Sequence, residues 1–162
     1  MTAFRIVTQV FRLIALAILC GGSSAIVFAA VTFVHFAQAE GMTIAQAAQY
    51  NAPVFISFSK VALAAASVLL VTELLDFFVF AKRALVNKIS LAAGLLCFLS
   101  CFVFAVQIVP SMEELRPKMR QEVSAYEAFQ SLHHISQLVF AASIAFALVS
   151  LTAPAFKPQS SS

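Results

Sequence analysis

The sequence predicts an all-α integral membrane protein, a bundle of four transmembrane helices with both chain ends on the cytoplasmic side. Three observations lead there. The chain is 62% hydrophobic and 10% charged, where an ordinary soluble domain has about 25% charged residues. It contains four apolar runs, each long enough to cross a bilayer. Its basic residues gather at the edges of those runs, where they report orientation.

About 20 helical residues at 1.5 Å each cross a hydrocarbon core of about 30 Å. No Asp, Glu, Lys or Arg occurs between Leu13 and Ala39, which places the first span at about 13–37. Arg5 and Arg12 precede this run and Ala37-Gln38-Ala39 resembles a cleavage site. The run nevertheless exceeds the roughly 7–15 apolar residues of a signal peptide, so it reads as a retained span. The second span, 53–80, starts at Pro53, a residue suited to a first helical turn, and carries Lys60, Glu73 and Asp76. The third, 89–109, lies in the uncharged stretch from Ile89 to Met112 and is expected to stop at Pro110. The fourth, 132–151, lies in the charge-free stretch from Ala128 to Phe156. Residues 1–156 thus form one membrane domain, and the polar tail 157–162 is expected to be disordered.

Arg5, Arg12, Lys82, Arg83, Lys88 and Lys157 fall on one side of these spans, and Arg116, Lys118 and Arg120 on the other. Six against three makes the first side cytoplasmic, and the lack of any basic residue from Glu40 to Ala52 agrees. The expected location is a multi-pass position in a bacterial inner membrane. Between the third and fourth spans, Met112, Leu115, Met119, Val123, Tyr126 and Leu132 recur mostly at steps of three and four. That period predicts an amphipathic outer helical segment, lying at the interface or extending the fourth helix. Thr43 is placed to cap a short helix through Tyr50.

Helices in lipid approach closely where side chains are small. Gly21, Ala25 and Ala29 form such a row on the first helix, and Ala93, Cys97, Cys101 and Ala105 form one on the third. The cysteines are four apart on one helix, a packing pattern rather than the Cys-x-x-Cys of a redox or zinc site.

An ionisable group near the middle of a span costs about 2.5–3.5 kcal/mol on insertion scales, so each one calls for a reason. Glu73 and Asp76 are three apart and share a face, where they could hold a proton or cation together or anchor the interface near Lys82 and Arg83. Lys60 is expected to reach the headgroups with its long stem. The three histidines, His35, His133 and His134, fall at the outer helix ends. His35 and His133 on two helices are of the ligand type that holds haem iron or a soft metal, with Met42, Met112 and Met119 on the same side. Otherwise His133 hydrogen-bonds to Ser136 or His35 and no cofactor is present. The chain shows no Ser-His-Asp order, phosphate-binding glycine loop or His-Glu-x-x-His motif, so no enzymatic reaction is predicted. A net charge of +3 gives nucleic-acid binding nothing to rest on.

The run Phe129-Gln130-Ser131-Leu132-His133-His134-Ile135-Ser136 resembles the Phe-x-x-x-His-x-x-Ser signature that opens the last helix of transmembrane-protein-205-like proteins. Gly21-Gly22 in the first helix, Pro53-x-Phe55 at the start of the second and Val109-Pro110-Ser111-Met112 closing the third are similar to the same family. The likeness extends over about 13–151 and makes Phe129, His133 and Ser136 its motif residues. It implies a four-helix fold and no known reaction. The function expected from all of this is that of an accessory, assembly or structural subunit, packing against other membrane protein subunits or a copy of itself within the lipid bilayer. A haem- or metal-binding membrane protein with redox or transport activity is the alternative.

Overall fold

In the computed structural model, which describes residues 2–80, 85–120 and 122–156, no strand occurs among the described residues. Four helices are long and apolar enough to span a membrane: α1 (Ala3–Ala39), α2 (Gln49–Val79), α3 (Leu85–Leu115) and α4 (Val123–Ala155). Their surface is that of a membrane protein. Phe28 and Leu138 are 75% and 72% exposed on the perimeter, whereas Arg12 and Glu73 inside are 5% and 3% exposed. Water would penalise such a contiguous apolar exterior, and lipid accepts it.

The inversion is clearest in the first four turns of α1. Phe4, Val7, Val10, Phe11 and Ile14 point outward, while Thr8, Arg12, Ala15 and Leu16 are buried and Gln9 is half-buried. The polar face of this amphipathic stretch is its interior face. The helix is also longer than the expected span, beginning well before Leu13.

Each seam of the bundle runs at steps of three and four. On α3, Asn87, Ser90, Gly94, Cys97, Cys101, Phe104 and Ile108 are buried; on α4, Ser136, Phe140, Ser143, Ala147 and Ser150 are buried. These two rows face each other, since α3 and α4 make the most extensive contact of the bundle. Sustained 3–4 spacing is the pattern of knobs-into-holes packing, and small residues let the backbones close in where no hydrophobic effect drives helices together. Cys97 accordingly donates its thiol to the Ser143 carbonyl at 3.4 Å. Midway, Phe140 fills the centre between Phe58 of α2 and Phe104 of α3, with ring centroids 6.2 and 5.1 Å away.

The turns explain the helix limits. At the end of α1, Gly41 at φ +81° supplies the left-handed position that favours glycine, while Met42 N–H bonds to Ala37 O and Gly41 N–H to Gln38 O. Thr43 and Gln46 then form a reciprocal capping box. It starts not a short separate helix but a continuous one, running from Ile44 to Leu75 with Pro53 inside it. Pro53 is therefore not a first-turn proline. Its ring faces outward, and the single backbone bond it forgoes is tolerated three turns into a strongly capped helix.

Pro110 likewise does not stop α3, which continues to Leu115. A π-helical turn at Val103–Ile108 precedes it, with Val109 N–H bonded to Phe104 O, so the register is already shifted where the proline has no N–H to give. The helical segment expected beyond it is shared out. Met112 and Leu115 prolong α3, Met119 sits in a 3-10 turn at Lys118–Arg120, and Val123 and Tyr126 open α4, nine residues ahead of Leu132. The tail at 157–162 lies outside the described residues.

Candidate functional site

The chain begins, α2 ends, α3 begins and α4 ends at one end of the bundle, and there the buried polar residues converge. Arg12 of α1 donates through Nε to Glu73 Oε1 of α2 at 2.7 Å and through Nη2 to the Ser150 carbonyl of α4 at 2.5 Å. Ser150 Oγ donates to the same Glu73 Oε1 at 2.6 Å. One turn nearer the end, Gln9 Nε2 donates to Asp76 Oδ1 at 3.1 Å. Three helices are thus joined by charge-assisted bonds, which are the strong class of hydrogen bond.

The remaining helix, α3, supplies the space. A Cβ on Gly94 would come 3.1 Å from Glu73 Cγ, so the absence of a side chain at Gly94 lets α3 close over the carboxylate stem. No buried side-chain nitrogen or oxygen among the described residues lacks a hydrogen-bond partner. An ion pair sealed in this way avoids the cost of an uncompensated charge in a low-dielectric interior, which is the main danger of burying either partner.

Of the residues singled out by sequence, Glu73 and Asp76 do lie on one face, but their partners are Arg12 and Gln9. They do not share one ligand position, and Glu73 is committed to a cation of its own chain. Arg12 is the functional residue that sequence reasoning missed. It reads as a flanking charge, yet it is inside the bundle, 5% exposed. The signal was the spacing of Arg5, Thr8, Gln9 and Arg12, which puts a polar face on a helix whose other positions are Phe, Val and Ile.

His35 and His133 lie on different helices, with different neighbours. The distal half of α1, Ser23–Ala39, rests on α2, and Asn51 of α2 donates to Ala30 O across that contact at 3.3 Å. His133 instead meets residues of its own helix: its Nε2 is 3.1 Å from Gln137 Nε2, and its ring stacks on Phe129 with centroids 6.4 Å apart. The Ser136 hydroxyl is occupied by the His133 backbone carbonyl, at 2.6 Å, and not by its imidazole. Phe129, His133 and Ser136 therefore form a local arrangement on α4. Among the described residues, no three His, Cys, Asp or Glu side chains are grouped as a metal would require.

The small-residue rows divide. Ala93, Cys97 and Cys101 are buried against α4, and Ala105 is half-buried. Gly21, Ala25 and Ala29 are exposed, and a Cβ on Gly21 would meet nothing within 4 Å, because the buried face of α1 is set by Leu16, Leu19 and Ser23 instead. Among the described residues, that row stays on the outside of the bundle.

Lys60 is farther from the start of its helix than expected: because the helix begins at Ile44 and not at Pro53, Lys60 lies sixteen residues, about 24 Å, along the axis from that start. It points out of the bundle. Nearby, an open apolar groove between α1 and α2 is lined by Ile26, Pro53, Val54, Ser57, Phe58 and Val61. Compared with family models, curated proteins and solved structures, the chain matches none. The sequence and structure together describe an integral membrane protein with a four-helix, all-α bundle.

Proposed function

We propose that this protein is a non-enzymatic multi-pass membrane subunit that acts by packing against other membrane proteins, with its terminal side in the cytoplasm of a bacterial inner membrane. The observation that supports this reading is the closed Arg12–Glu73–Ser150 cluster. A solute or proton carrier needs an ionisable group free to exchange partners, whereas here the deepest carboxylate holds three helices together. The interior is filled by Phe58, Phe104 and Phe140 at mid-height. What the molecule offers is its perimeter: the outward small-residue row Gly21, Ala25 and Ala29, and the groove between α1 and α2. The resemblance to transmembrane-protein-205-like proteins supports the same architecture and adds no reaction.

The test is the particle mass of the full chain extracted from its native membranes in a mild detergent. A subunit migrates in a particle well above 17.4 kDa of protein. A monomer carrying only detergent and lipid overturns the reading.

A further inference from the structure

Lys60 sits at the mid-height of the bundle. Two residues away, Phe58 meets Phe140, which is seventeen residues from the start of α4 and fifteen from its end. The Phe58 ring also lies 3.4 Å from the position of a Cβ on Gly22, near the middle of α1. The Lys60 side chain is exposed at this level, on the surface that faces lipid. A lysine stem reaches roughly 6 Å, and in a bilayer centred on the bundle the edge of a 30 Å core is about 15 Å away, so extension toward the headgroups falls short. Exposed Ser57 and Ala64 stand three residues before and four after it, on the same face. Small residues on either side of a cation are what a second helix needs to approach it closely.

We infer that the Ser57–Lys60–Ala64 face of α2 docks a transmembrane helix of a partner protein that carries an aspartate or glutamate near mid-membrane. Charge complementarity selects this occupant over a second copy of the chain. Its own carboxylates are Glu40, Glu73, Asp76, Glu113, Glu114, Glu122 and Glu127. Glu73 and Asp76 are bonded to Arg12 and Gln9 at the terminal end, and the others lie toward the far end. A copy approaching this face symmetrically would present another Lys60. The inference rests on the proposed packing role and names the chemistry of the partner.

The test uses the full chain in phosphatidylcholine vesicles with a synthetic poly-leucine transmembrane helix bearing one central Asp, followed by energy transfer between labels on the two. Association with the Asp helix is expected to exceed that with an all-leucine helix by about tenfold or more, a difference lost in Lys60→Met and kept in Lys60→Arg. Equal association of wild type and Lys60→Met overturns the inference and leaves Lys60 a lipid-contacting cation. The same substitution in native membranes separates the two proposals. A large particle that survives Lys60→Met defeats the Lys60 inference alone, whereas a wild-type monomer defeats the packing role while Asp-helix binding still supports the docking chemistry.

Discussion

Removing one charge of the Arg12–Glu73 pair should be far more damaging than removing both. Arg12 is 5% exposed and Glu73 3% exposed, and they meet at 2.7 Å. Glu73→Gln preserves the side-chain shape and a bond to Ser150, but it leaves a buried guanidinium without a counter-charge. Breaking a buried pair from one side typically costs about 3–5 kcal/mol. Arg12→Met leaves the carboxylate in the same position and should cost a similar amount. In the double variant Arg12→Met/Glu73→Leu both charges are gone, and the remaining loss is the Ser150 carbonyl and hydroxyl left with fewer partners, about 1–3 kcal/mol. The cycle therefore predicts a double variant more stable than either single one, and strong non-additivity between residues 61 positions apart. Reversible unfolding of the full chain in bicelles measures all four corners, at low and high salt. Single costs below about 1 kcal/mol, adding in the double variant and shrinking with salt, are the behaviour of an exposed pair and would refute the buried cluster.

Two further predictions concern packing and orientation. Gly94→Ala should destabilise the bundle by about 1–3 kcal/mol, because the added carbon meets the stem of a Glu73 held at both sides, whereas Gly21→Ala, with nothing within 4 Å, should cost nothing measurable; melting temperatures in one detergent compare them, and the reverse order would contradict the Gly94–Glu73 contact. Single cysteines at Gln46 and Val86 in a Cys-free background should react with an impermeant thiol reagent from opposite sides of sealed vesicles, Gln46 from outside, and labelling of both from outside would defeat the four-span topology.

The bundle itself was legible because its signals are additive along the chain. Apolar length, charge-free runs and small-residue spacing each survive without knowledge of the neighbours, and they located α1 to α4 and the Ala93–Cys97–Cys101 seam. Helix limits were less legible where proline was taken as punctuation. Pro53 and Pro110 both lie within helices, since lipid rewards an unbroken helix and a capping box or π turn absorbs the missing donor. The candidate site was half legible. Glu73 and Asp76 stand out as charges in an apolar run, but the choice between a shared cation and separate partners depends on what α1 and α4 place opposite them. Ser150 does not advertise that role, resembling an ordinary small residue near a helix end, and Arg12 does so only through the polar face it shares with Thr8 and Gln9.

The uneven distribution of polar groups along the bundle axis has a consequence for how α1 is held. Its terminal half is fixed by Arg12 to both α2 and α4, and by Gln9 to Asp76. Its π turn at Ala17–Gly22 lies against α4 and α2 at the level of the phenylalanine core. Beyond that turn, Ser23–Ala39 leans on α2, with a bond from Asn51 to Ala30 O between them. Segments with fewer buried contacts open at lower free energy than the element as a whole. The distal half of α1 is thus held chiefly through α2. It is also the part that exposes Ala25 and Ala29 and borders the groove at Ile26. Under the proposed packing role, a partner helix would meet α1 along this distal half, while the terminal end stays fixed by its own bonds.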